Sequence, residues 1–157
     1  MGYSYTVAFL MLIFTCGMWP DSYHEQERLP APNQRPHYRI MFYNVENLFD
    51  TRDNPVTDDD QFTPAGGMHW TYKRYKTKLM NICKVIVAAG GWHPPDVIGF
   101  CEVENDSVLH DLFENTPLSK YHYKVVHYDS PDRRGIDVAL AYNRQTVEYL
   151  FSRKIKT

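Results

Sequence analysis

Cysteine is scarce, with three residues in a chain of 157, which is too few for a disulfide scaffold. Charge of either sign is also missing in excess. Seventeen Lys and Arg stand against nineteen Asp and Glu, a formal net charge of −2. A protein that coats nucleic acid through a global positive field is therefore excluded, and any chemistry on a polyanion has to come from a local site. There is no Gly-rich nucleotide loop and no nucleophile elbow. No internal repeat is visible. The longest apolar run, Val7 to Phe14, is far short of the ~18–20 residues that cross a bilayer, so no integral membrane span is expected. What is present is ordinary for a globular chain: 43% hydrophobic and 23% charged residues, which excludes wholesale disorder. The length favours one domain.

The Val7–Phe14 run has the length of a secretory h-region, with Thr15, Cys16 and Gly17 after it. This predicts export to the periplasm or the medium, with residues 1–20 as leader and Cys16 as a candidate lipid anchor. The missing basic residue before Arg28 points the other way, toward a buried apolar strand or a misplaced start. Residues 21–37 carry Pro30, Pro32 and Pro36 and read as an extended linker. The folded part is then expected over 38–157.

Within it, Arg39–Tyr43 reads as a short apolar strand. Residues 46–67 read as a loop punctuated by Pro55, Pro64, Gly66 and Gly67. From Tyr72 the spacing of Tyr75, Leu79, Ile82, Cys83 and Ile86 predicts a helix ended by Gly90-Gly91, its lysines and arginines forming a solvated face. Asp96–Phe100 reads as a second strand, and Asn105 as the cap of a short helix with Leu109, Leu112 and Phe113 on one face. Tyr121–His127 and Ile136–Asn143 alternate as strands. Thr146–Phe151 is expected to pair with the latter through a hairpin. The pattern is mixed α/β with at least one helix-linked crossover.

Two of these strands end alike. Asn44-Val45-Glu46-Asn47 follows the first, and Cys101-Glu102-Val103-Glu104-Asn105 follows the second. Carboxylates and amides at strand ends are where open α/β sheets place ligands. A carboxylate there is costly unless paired or bound to a cation, and oxygen donors suit Mg²⁺ or Mn²⁺. Each motif alone also fits an ordinary turn or an exposed acid; the repetition makes the site reading. In Asp132-Arg133-Arg134-Gly135-Ile136-Asp137, an arginine could hold phosphate, while Asp137 either takes part in a site or pairs structurally with Arg134. The run Asp58-Asp59-Asp60 lacks the spacing of a calcium loop and reads as solvated. None of the seven histidines has a metal-ligand partner at a recognised spacing, and Cys83 and Cys101 read as packing residues.

Taken together, FYNVENLFD, WTYKRYKTKLMNICKVI, PPDVIGFCEVEN and RRGIDVALAYN, in that order, resemble the endonuclease/exonuclease/phosphatase superfamily, in particular its exported bacterial members. The resemblance implies a four-layer α/β/β/α sandwich and metal-dependent hydrolysis of a phosphodiester or phosphomonoester. The implied substrate is a nucleic acid, a phospholipid head group or a small phosphoester, and the implied cofactor is Mg²⁺ or Mn²⁺. By the same resemblance, Glu102 matches the metal-ligating Glu, Asn44 the Asn that orients metal and nucleophile, and Glu46 the acid beside the metal. Asp137 falls in a strand motif near the site. The His/Trp-Pro, Gly-Asp-x-Asn and Asp-His phrases that supply the family's general base are not in this sequence. The expectation is an N-terminal half of the sandwich, inactive alone, its partner a missing C-terminal half. The alternative is a non-catalytic binding or degenerate module of the same fold.

Overall fold

A computed structural model describes residues 37–91 and 93–155. The leader, the Cys16 anchor and nearly all of the linker expected from sequence lie outside the described residues. No described helix is long and apolar enough to cross a membrane.

Four strands form one mixed sheet: β1 (Ile40–Leu48), β2 (Val97–Val103), β3 (Tyr123–Tyr128) and β4 (Asp137–Asn143), in the order β1-β2-β4-β3. Strand β2 runs parallel to β1, and β4 runs antiparallel to both β2 and β3. The parallel pair requires a crossover, which α1 (Tyr72–Ala89) supplies. Thr71 caps this helix by accepting from Arg74 N, and Tyr75, Leu79, Ile82, Cys83 and Ile86 form its buried stripe. It ends at Gly90, where a Cβ would sit 2.0 Å from the His93 carbonyl oxygen, so the chain can reverse there only around a glycine. The second helix, α2 (Asp106–Glu114), starts from Asn105, whose side chain accepts from Ser107 N at 2.8 Å and Val108 N at 3.1 Å.

The stripes of α1 and α2 meet one face of the sheet, on Ile98, Phe100, Val103, Ala139, Ala141 and Tyr123. The small alanines of β4 thus face the helices. The large residues face out: Ile40 is 77% exposed, Phe42 74% and Val138 63%. Strands β1 and β4 therefore carry apolar residues on both faces, and only one face is covered by described residues.

Three expectations change. The fifth strand is absent, since residues 147–151 have no strand pairing. Both edges of β4 are already taken by β2 and β3, leaving no ladder for a hairpin partner. The chain turns instead, Val147 N donating to Asn143 O and the Thr146 hydroxyl to Asp96. Strands β1 and β2 also run past their expected ends. Their pairing is interrupted after Asn44 and Cys101 and resumes at Leu48 opposite Val103. Finally, Asp59 is buried rather than solvated, because its carboxylate closes the acidic loop by accepting from Asn54 N at 3.2 and 3.3 Å. The loop also packs inward: the Phe49 and Phe62 rings stack 4.0 Å apart, and Trp70 donates its indole N–H to Phe49 O.

Candidate metal site at the ends of two parallel strands

The interruptions in β1 and β2 are bulges, and they shape the site. Glu46, Asn47 and Glu102 all adopt left-handed backbone, with φ of 56°, 62° and 63°. Such conformations are uncommon for residues with a Cβ and re-aim the side chains next to them. Three non-glycine residues in this state, on adjacent strands, cost energy that the surrounding hydrogen bonds have to offset.

Those bonds are specific. Asn44 Nδ2 donates to Glu102 Oε1 at 2.8 Å, and Asn47 N donates to Glu102 Oε2 at 3.1 Å. Asn44 Oδ1 accepts from Glu46 N at 2.8 Å. One amide thus closes the β1 bulge with its oxygen and orients the β2 carboxylate with its nitrogen. Each Glu102 oxygen takes one of these bonds, and an ionised carboxylate offers about four lone-pair sites. Half of its acceptor capacity stays free for a cation. The hard oxygen donors fit Mg²⁺ or Mn²⁺. The Glu46 carboxylate makes no hydrogen bond among the described residues, although its backbone is held on both sides: its N–H by Asn44 and its carbonyl by Lys78 Nζ at 2.6 Å.

Lys78 was read from sequence as part of a solvated face, and the structure corrects this. Burial lowers its pKa, opposed by the charges of Glu46 and Glu102. Its ammonium lies 5.9 Å from the Trp70 ring centroid. The helix spacing that marked Lys78 as polar carries no sign that the β1 bulge comes back over it.

Glu104 also gained no role from sequence. It is 8% exposed, and burial pushes its carboxyl up to about 7, helped by the charges of Asp50 and Asp59. Asp50 N donates to it at 2.6 Å. The spacing from Glu102 places the two acids at alternate positions, a signal that a strand continued past Phe100.

Asp137 lies opposite Val103 in the β2–β4 ladder but makes no hydrogen bond to the Asn44–Glu102 pair. It is buried, as its place beside Ala139 and Ala141 suggested. Its partner is not Arg134, which turns back to Asp132 at 3.1 Å. A two-residue reach to Asp132 is shorter than a path into the sheet. Instead Asp137 Oδ1 accepts from Ser130 N at 2.6 Å, and Oδ2 meets His127 Nε2 at 2.9 Å. Arg133 faces Asp58 at 3.4 Å in the open. His127, Asp129 and Asp137 bring one donor atom each within 4.8 Å of one another. Strand pairing of β3 with β4 assembles this group, which no sequence spacing announces.

No curated protein and no solved structure shows significant similarity to the chain. A family model described as Endonuclease/Exonuclease/phosphatase family matches residues 39–157. That span carries both bulged strands and the Asn44–Glu102 pair they hold together, and the chain belongs to the endonuclease/exonuclease/phosphatase family.

Proposed function

We propose that this domain serves metal-dependent hydrolysis of a phosphate ester, with Glu102 as the principal ligand of Mg²⁺ or Mn²⁺. The observation that carries the reading is the Glu102 carboxylate, held at both oxygens by Asn44 and Asn47 with acceptor capacity to spare. Family membership supports the phosphoesterase class. When bound, the ion supplies positive charge beside a phosphoryl oxygen. The chain's own residues do the rest. Asn44 positions Glu102, since its amide nitrogen is committed to that carboxylate and its oxygen to the Glu46 N–H. Glu46 extends the oxygen donors at the mouth of the site. Lys78 lies beside them, its Nζ donating to the Glu46 carbonyl. Asp137, engaged with His127 and Ser130, supports β4 rather than touching the reacting atoms.

The substrate is a phosphoester: nucleic acid, phospholipid head group or small ester. Export through the 1–20 leader, with Cys16 as a lipid anchor, belongs to the same proposal. Among the described residues no imidazole hydrogen-bonds to Asn44 or Glu102, which favours a second reading: a chain that binds metal and, by itself, does not activate water. Mn²⁺ binding followed by electron spin resonance, beside hydrolysis of bis-p-nitrophenyl phosphate, tests both. Binding that is lost in Glu102→Ala supports the site, and hydrolysis lost in the same variant identifies a complete enzyme. Binding unchanged in Glu102→Ala refutes the assignment.

A further inference from the structure

A second cluster of donors lies at the β3–β4 side of the sheet, outside the Glu102 site. His127 has a side chain only 4% exposed, and both of its ring nitrogens face carboxylates: Nδ1 stands 3.3 Å from Asp106 Oδ1, and Nε2 stands 2.9 Å from Asp137 Oδ2. A neutral imidazole has one N–H and one lone pair, while a carboxylate only accepts. With a neutral ring, one of the two contacts therefore sets lone pair against lone pair; a second ring proton or a bound cation relieves it. Asp129 brings a carboxylate oxygen within 4.8 Å of the His127 and Asp137 donor atoms.

We propose that His127, Asp129 and Asp137 bind a divalent transition-metal ion of the zinc type, at a site separate from Glu102. One imidazole nitrogen and two carboxylate oxygens are a zinc-like donor set, distinct from the all-oxygen set at Glu102. Donors around a tetrahedral zinc stand about 3.3 Å apart, so the group needs only a small contraction. The supporting contacts are in place. Asp106 stands 3.3 Å from Nδ1, so an ion bound at Nε2 would leave Nδ1–H facing a carboxylate, as in carboxylate–histidine–metal arrangements. Ser130 N holds the other Asp137 oxygen at 2.6 Å. Asp129 is exposed and opens a path from solvent. The ion joins β3, β4 and, through Asp106, the start of α2, so its role is to hold the edge of the sheet to the helix layer.

The experiment is a titration of the full chain, stripped with chelator, with Co²⁺ followed by visible absorption and with Zn²⁺ followed by calorimetry. Tetrahedral ligand-field bands that saturate at one equivalent are expected. Asp129→Ala, at an exposed position that does not endanger the fold, is expected to weaken binding at least about tenfold, and His127→Gln to abolish it. Glu102→Gln is expected to leave these bands unchanged, which separates this site from the proposed catalytic one. Bands that vanish in Glu102→Gln and persist in Asp129→Ala overturn the proposal. So does the absence of binding at millimolar ion, with His127 carrying protons on both nitrogens in the imidazole ¹H–¹⁵N spectrum.

Discussion

Glu104→Gln should change the pH dependence of folding in a way that identifies the buried acid. Glu104 sits nearly out of solvent, with Asp50 and Asp59 nearby, and its carboxyl is pushed from the ordinary 4.5 up to about 7, chiefly by burial. The folded state thus keeps a proton that the unfolded chain gives up. Its contribution is fully present below about 4.5 and is lost as pH rises through about 7. The difference corresponds to roughly 3 kcal/mol over that interval. Glutamine preserves the acceptor for Asp50 N and cannot ionise. The stability of the variant relative to the parent should therefore rise by roughly 3 kcal/mol between pH 4.5 and 8, then stay level. Urea denaturation followed by circular dichroism at several pH values measures this, and titrating groups remote from Glu104 cancel in the difference. A difference between the two proteins that stays constant with pH would refute the reasoning, because Glu104 would then titrate alike in both states.

Two further predictions concern the scaffold. Asn105→Ala removes the acceptor for Ser107 N and Val108 N and should cost about 1 kcal/mol in urea denaturation, with Asn105→Asp retaining most of it. Phe100, 1% exposed and edge-on to Phe113, should lose about 3–5 kcal/mol on truncation to alanine, whereas Phe42→Ala on the open face should cost under about 1 kcal/mol. Equal losses at the two positions would mean that the open face is covered in solution.

The elements that were legible in the sequence are those governed by local periodicity and caps. The α1 stripe from Tyr75 to Ile86 and its glycine stop, the Asn105 cap, and the alternation of β4 all follow from neighbours a few residues apart. The polar strand ends were legible too, because Asn44 and Glu102 interrupt apolar runs. The bulges that place them were not. A left-handed φ at Glu46, Asn47 and Glu102 runs against residue preference, and it exists because long-range bonds across β1 and β2 hold it.

The division between the two kinds of information is one of range. Short-range chemistry in the chain was enough for the mixed α/β class, for both helices, and for an amide and an acid at two strand ends. Contacts between residues far apart in sequence settled the rest. The β1-β2-β4-β3 order removed the expected fifth strand, turned the alanines of β4 inward and left Phe42 and Val138 facing out. It moved Asp137 from Arg134 to His127. Packing of the strand ends also buried Glu104, which the chain displays only as one acid among nineteen. Burial and electrostatic coupling depend on what packs against a group, and that is a property of the assembled sheet rather than of any local stretch.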